Sequence, residues 1–141
     1  MIETSTTSEE QTWSMLAHLS ILVNLFTAVL GPLIALIIYL VYRNQSRYIA
    51  YQSLQSLIFQ TIAWLGAGMI IAFTWIITGL LSAVLIGLFL IPPAIIITAI
   101  LGQLPLIAVV YSIGGAIQCY HGRDFKYLFI GDWVRGILTN K

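Results

Sequence analysis

His18 is the one imidazole inside the first apolar stretch of this chain, and an intramembrane imidazole can hold a pigment or metal or relay a proton. A second set of polar side chains, Gln52, Gln55, Ser56 and Gln60, recurs at spacings of three and four, which gathers them on one helical face. An amide turned toward hydrocarbon without a partner costs several kcal/mol, so this face must meet protein, water or a partner. It is therefore read as a partner surface or polar pathway, beside the plainer account of hydrogen bonding within the bundle. For His18 the plainer account is a neutral ring hydrogen-bonded near the interface, because Trp13 at headgroup depth puts it only about one and a half turns inside. Cys119 has only His121 nearby, too few ligands for a metal, and a single cysteine forms no internal disulfide. The sequence holds no paired carboxylates, no nucleophile with an adjacent base and no phosphate-cradling glycine loop. No catalytic residue, cofactor or metal is expected, and the chain is not read as an enzyme.

The elements that must position these residues lie in a bilayer. No residue from Tyr48 to Gly122, 75 of 141 positions, is ionised at neutral pH, whereas the surface of a soluble domain must be wetted. Hydrophobic residues make up 60% and charged residues 8%, with a mean hydropathy of +0.97, against roughly 45–50% and about 25% in soluble domains. This length allows three or four crossings of about 20 residues and excludes a large extramembrane catalytic domain. A net charge of +1 from dispersed basic residues argues against a nucleic-acid partner.

The expected fold is an all-α, multi-pass transmembrane bundle with three, possibly four, membrane segments broken at Gly31-Pro32 and Pro92-Pro93. It divides into an acidic polar tail (1–12), a transmembrane domain (13–122) and an amphipathic cytoplasmic tail (123–141). Glu3, Glu9 and Glu10, with no basic residue before Thr12, are the reverse of an export-signal n-region. Thr12 is the expected N-cap of the first helix. The segment 15–42 is too long for one straight crossing and too short for two; one kinked crossing is favoured, and a re-entrant hairpin is the alternative. Residues 52–78 form a second helix, and Pro93 opens the last one, which runs to about Tyr120 and contains Pro105. Gly66, Gly68, Ser112, Gly114, Gly115 and Ala116 give small faces for close packing.

Beyond Tyr120, Phe125, Tyr127, Phe129 and Trp133 are expected to hold an amphipathic tail on the membrane surface. Arg43 and Arg47 mark one cytoplasmic loop, and Arg123, Lys126, Arg135 and Lys141 a cytoplasmic C-terminus. The N-terminal tail then lies outside if 15–42 crosses once and inside if it forms a hairpin.

The order Trp13, Leu16-Ala17-His18-Leu19-Ser20, Gly31-Pro32-Leu33-Ile34, Phe59-Gln60, Gly114 to Ala116 and Gly122-Arg123-Asp124-Phe125-Lys126-Tyr127 resembles a widespread family of small bacterial membrane proteins with a domain of unknown function. That family is grouped with the twenty-kilodalton channel subunit of the chloroplast inner-envelope import translocon, whose loop Arg43 to Ile49 also resembles. The family's charged residues and histidine at the helix that ends in Phe-Gln correspond here to Gln52, Leu54 and Gln55. The resemblance implies an integral protein of a bacterial plasma membrane or a thylakoid-type membrane. It further implies a non-enzymatic subunit or accessory factor of a larger, translocon-like or biogenesis assembly. The expected partners are the lipid bilayer and a membrane protein or further copies of the chain. The alternative is a small homo-oligomeric channel or transporter, suggested by the glutamine stripe and the broken helices.

Overall fold

Thr7-Ser8-Glu9-Glu10 starts the first described helix by closing a capping box. The Thr7 hydroxyl accepts from the Glu10 amide at 3.2 Å, and the Glu10 carboxylate accepts from the Thr7 amide at 2.9 Å. Helix α1 thus spans Ser8–Leu19, and the expected cap at Thr12 is displaced because its hydroxyl bonds the Ser8 carbonyl instead. A computed structural model describes residues 6–139 except 28; Glu3 and Lys141 lie outside the described residues.

After α1 the backbone tightens into a 3₁₀ turn, Ser20–Val23, and a single turn α2, Asn24–Thr27, before α3, Leu30–Tyr42. Sequence explains the clean restart. The Thr27 hydroxyl accepts from the Leu30 amide, the Asn24 carboxamide accepts from Gly31 N at 2.7 Å, and Pro32 has no amide to satisfy. Gly31 is obligatory, since a Cβ there would lie 2.6 Å from Asn24 Oδ1 and 2.7 Å from the Ser20 carbonyl.

The start of α1 meets the end of α3. Tyr42 OH donates to Glu9, Ser46 Oγ donates to Glu10, and the Trp13 and Tyr42 rings sit 5.3 Å apart. The segment 15–42 is therefore a hairpin, which corrects the favoured single kinked crossing. Its second arm, the 13 residues of α3, measures only about 20 Å, short of an apolar core about 30 Å thick, and its first is the 12 residues of α1 extended by the turns Ser20–Val23 and Asn24–Thr27.

Among the described residues two helices are long and apolar enough to cross. Arg47–Ser82 joins α4 (Arg47–Gln60) through a π-helical stretch, Thr61–Gly66, to α5 (Ala67–Ser82); Gly87–Tyr120 joins α6 (Gly87–Leu101) to α7 (Leu104–Tyr120). Only 11% of the most apolar window of each is buried. Their outward faces carry Met69, Phe73, Leu80, Phe89 and Ile100, all more than half exposed, so hydrocarbon rather than water must cover them.

The bend between α5 and α6 falls at 83–86, where Leu85 takes φ 66°. Gly87 is required there, because a Cβ would sit 2.3 Å from both the Thr78 carbonyl and the Ser82 amide. Trp75 Nε1 donates to Thr98 Oγ1 at 2.8 Å and ties the hairpin's arms. Pro92 and Pro93 lie inside α6, which corrects the expected break there. They follow its first turn, so the ring fits the helical φ while one backbone bond is lost at each.

Hairpin arm α1 wedges between α4 and α7, and α3 runs back along α4. Residues 124–127 then turn inward. Phe125 is 5% and Tyr127 0% exposed, so they are core residues and not the surface anchors expected of them. Within the expected tail 123–141, Arg123, Asp124 and Lys126 stay exposed while Phe125 and Tyr127 enter the core. The final helix α8, Ile130–Thr139, packs on α4, with Phe129 and Trp133 facing outward. Gly115 and Ala116 are buried as expected of a packing face, but a Cβ on Gly66, Gly68 or Gly114 would meet nothing within 4 Å.

Candidate functional site: a buried polar network

His18, Gln52, Gln55, Ser56 and Gln60 are all 0% exposed, and the fold gathers them into one polar core. Gln52 and Gln55 come from α4, His18 from α1, and the extended residues 124–127 supply carbonyls and a carboxylate between them. Gln52 Nε2 donates to Asp124 Oδ1 at 3.0 Å and to the Phe125 carbonyl at 3.1 Å. Its Oε1 accepts from Gln55 Nε2 and from His18 Nε2 at 3.0 Å. Gln55 Nε2 also donates to the Phe125 carbonyl at 2.8 Å, and Gln55 Oε1 accepts from the Tyr127 amide. Every hydrogen and one or both lone pairs of these two amides are engaged, as burial demands.

Those bonds settle the imidazole. Both hydrogens of Gln52 Nε2 are committed, so Oε1 faces the ring and His18 carries its proton on Nε2. Nδ1 is then an acceptor for Tyr127 OH at 2.9 Å, and Ser112 Oγ lies 2.8 Å from the same hydroxyl, donating to it. Aromatic rings close the surroundings: Phe125 stands edge-on to His18 at 5.4 Å, and Phe59 stacks on Tyr127 at 4.0 Å. Gly115 makes room for this packing, because a Cβ there would fall 2.7 Å from the Phe125 ring and 3.3 Å from His18 Nδ1.

A second cluster forms where α1 unwinds. The Ala17 carbonyl, released by the 3₁₀ turn, accepts from Ser20 Oγ and Ser56 Oγ, each at 2.8 Å. Gln60 Nε2 donates to those two hydroxyls at 3.0 and 2.9 Å. Gln60 Oε1 and Asn24 Nδ2 are buried without a partner among the described residues, and both side chains lie against Gly31, where a Cβ would fall 2.7 Å from Gln60 Oε1 and 2.6 Å from Asn24 Oδ1.

The glutamine stripe is thus buried, and among the described residues its hydrogen bonds close within the chain except at Gln60 Oε1. Ser112, Asp124, Phe125 and Tyr127 complete it; the sequence marks Ser112 only as a small packing residue and Phe125 and Tyr127 as surface anchors, since nothing local in 123–127 says that this segment folds back. Cys119 is a buried packing residue, and His121 is exposed with Nδ1 2.8 Å from the Ile117 carbonyl. Among the described residues no group of three or more metal-ligating side chains occurs.

The model of the magnetosome magnetite crystal formation protein family matches residues 9–134, which takes in the whole network. The chain belongs to that family. Comparison with curated proteins and with solved structures finds no match. Membership of the magnetite crystal formation family agrees with the bacterial membrane-protein part of the resemblance read from sequence. It does not extend to the chloroplast translocon subunit. With the lipid-facing helices, it places the chain in a bacterial membrane.

Proposed function

We propose that this chain is a non-enzymatic integral membrane protein, an accessory factor of the membrane assembly in which its family's magnetite crystals form. The observation that carries the reading is how the polar residues are used. The amides of Gln52 and Gln55 and the imidazole of His18 bond one another and the backbone, which fixes a shape. What the protein offers to its surroundings is a lipid-facing apolar hairpin on one side and a small charged surface at the chain ends on the other. Such a molecule acts through what it adjoins. The translocon-like form of this reading rests on the sequence resemblance alone.

A homo-oligomeric channel or transporter is the second reading, favoured by the unpaired Asn24 Nδ2 and Gln60 Oε1 at the break of a re-entrant hairpin. Purification of the full chain in mild detergent, with identification of co-purifying proteins, separates the two. Recovery of a defined larger membrane complex supports the accessory reading. A homo-oligomer that conducts ions in liposomes and brings down no partner replaces it with the channel.

A further inference from the structure

Arg43 and Arg47 line one pocket of about 350 Å³ with Tyr39, Asn44, Ala50 and Leu138, at the junction of α3, the 43–46 turn and α8. Neither arginine belongs to the ion pairs of this surface, Lys126 with Asp132 and Arg135 with Asp124. Glu9 and Glu10 bond Tyr42 and Ser46 and do not line the pocket. One Arg47 donor reaches the Leu138 carbonyl at 3.3 Å, fastening α8 as a wall and leaving the remaining guanidinium donors for another acceptor. The dipole of α4 begins at Arg47 and that of α3 ends at Arg43, so they offset each other; the last turn of α8 presents its Leu138 carbonyl to Arg47, and the two guanidiniums are the charged side chains of the pocket's lining.

The setting selects the anion. Tyr39 lines the pocket and Tyr42 ends α3 beside it, and tyrosine concentrates at headgroup depth. Leu40, one turn before Arg43 on α3, is half exposed, so the rim of the pocket continues onto an apolar helix face that an acyl chain can follow. Planar guanidiniums match phosphate oxygens in paired bonds, and Asn44 and Tyr39 add neutral donors. We propose that this pocket binds the headgroup phosphate of an anionic phospholipid from the leaflet around it, and that the lipid braces the α3–α4 turn against α8.

The test uses the full chain in nonionic detergent, titrated with short-chain phosphatidylglycerol, short-chain phosphatidylcholine and glycerol phosphate. Phosphatidylglycerol is expected to bind about tenfold more tightly than either of the others. An Arg43→Gln, Arg47→Gln double variant is expected to lose that preference by about tenfold, while Arg123→Gln keeps it and the double lysine variant restores part of it. Arg43→Gln alone supplies the readout if loss of the Leu138 contact loosens α8 in the double variant. Unchanged phosphatidylglycerol affinity in the glutamine variants overturns the proposal. Equal affinity for glycerol phosphate overturns it too, by making this a soluble-anion site.

Discussion

His18 Nε2 and Gln52 Oε1 lie 3.0 Å apart across 34 positions of sequence, and this bond sets the tautomer of a fully buried ring. In ¹⁵N spectra of histidine-labelled protein in nanodiscs, His18 is expected as a neutral imidazole protonated at Nε2. A ring protonated at Nδ1 would mean that the amide of Gln52 is turned over and the order of donors reversed.

Removing that amide tests its energetic weight. Gln52→Leu strands the Nε2–H of His18 and one hydrogen of Gln55 in an apolar core, at about 1–3 kcal/mol for each orphaned group. We predict a marked fall in the detergent melting temperature. The same change at the exposed Gln118 should be nearly silent. Equal melting temperatures for the two variants would remove the network from any role in stability.

Gly115 and Gly114 are neighbours with opposite surroundings. Any side chain at 115 collides with Phe125, whereas position 114 is open. Gly115→Leu should abolish folding or lower the melting temperature sharply, because close-packed cores accommodate an inserted side chain only through strain of about 1–3 kcal/mol or more. Gly114→Leu, and Ile96→Leu on the lipid-facing side, should behave as wild type. Retained stability in Gly115→Leu would show that residues 124–127 do not occupy the core as described.

The turn at 43–46 and the C-terminal helix lie together, because the start of α4 that follows the turn is joined to α8 by Arg47 to the Leu138 carbonyl and to the segment before α8 by Tyr48 to the Arg123 carbonyl at 2.8 Å. Cysteines placed at Asn44 and Gly136 should therefore react together with an impermeant thiol reagent, from inside or from outside, while buried Cys119 stays silent. The concentration of arginine and lysine here predicts the cytoplasmic side, with labelling only after permeabilisation. Labelling of one site without the other would contradict the shared face.

Composition and helical period made the membrane, the helices and the polar face of α4 legible, because a charge-free run and a three-four spacing have few other physical explanations. The partners of that face were not legible. Asp124 and Phe125 lie more than 70 positions from Gln52, and a periodic pattern says which side of a helix is polar without saying what comes to meet it. Aromatic residues after the last span read equally well as interface anchors or as core, and Phe125 and Tyr127 proved core while Phe129 and Trp133 remained outside. The capping box at Thr7 to Glu10 was visible as Thr-x-x-Glu, and it places the helix start five residues earlier than the apolar pattern alone. Proline at 92–93 misled because it marks a helix end only on average; the tight turn belonged to Gly87.

Glu10 ties the hairpin's open end together, and its protonation state should be visible in stability. Hydrogen bonds from Ser46 Oγ, then from the Thr7 amide, hold its carboxyl below the ordinary carboxylate value. A pKa lowered in the folded state stabilises the fold above the unfolded value, and the stabilisation is lost as pH falls through the lowered folded value. Melting temperature in detergent should accordingly decline between neutral pH and about pH 3. Glu10→Gln, which cannot lose a charge, should start lower at neutral pH and decline less over the same interval. Ser46→Ala removes the larger of the two causes and should shift the wild-type decline toward higher pH. Parallel pH profiles for wild type and Glu10→Gln would mean that the carboxylate does not fasten α1 to the turn after α3.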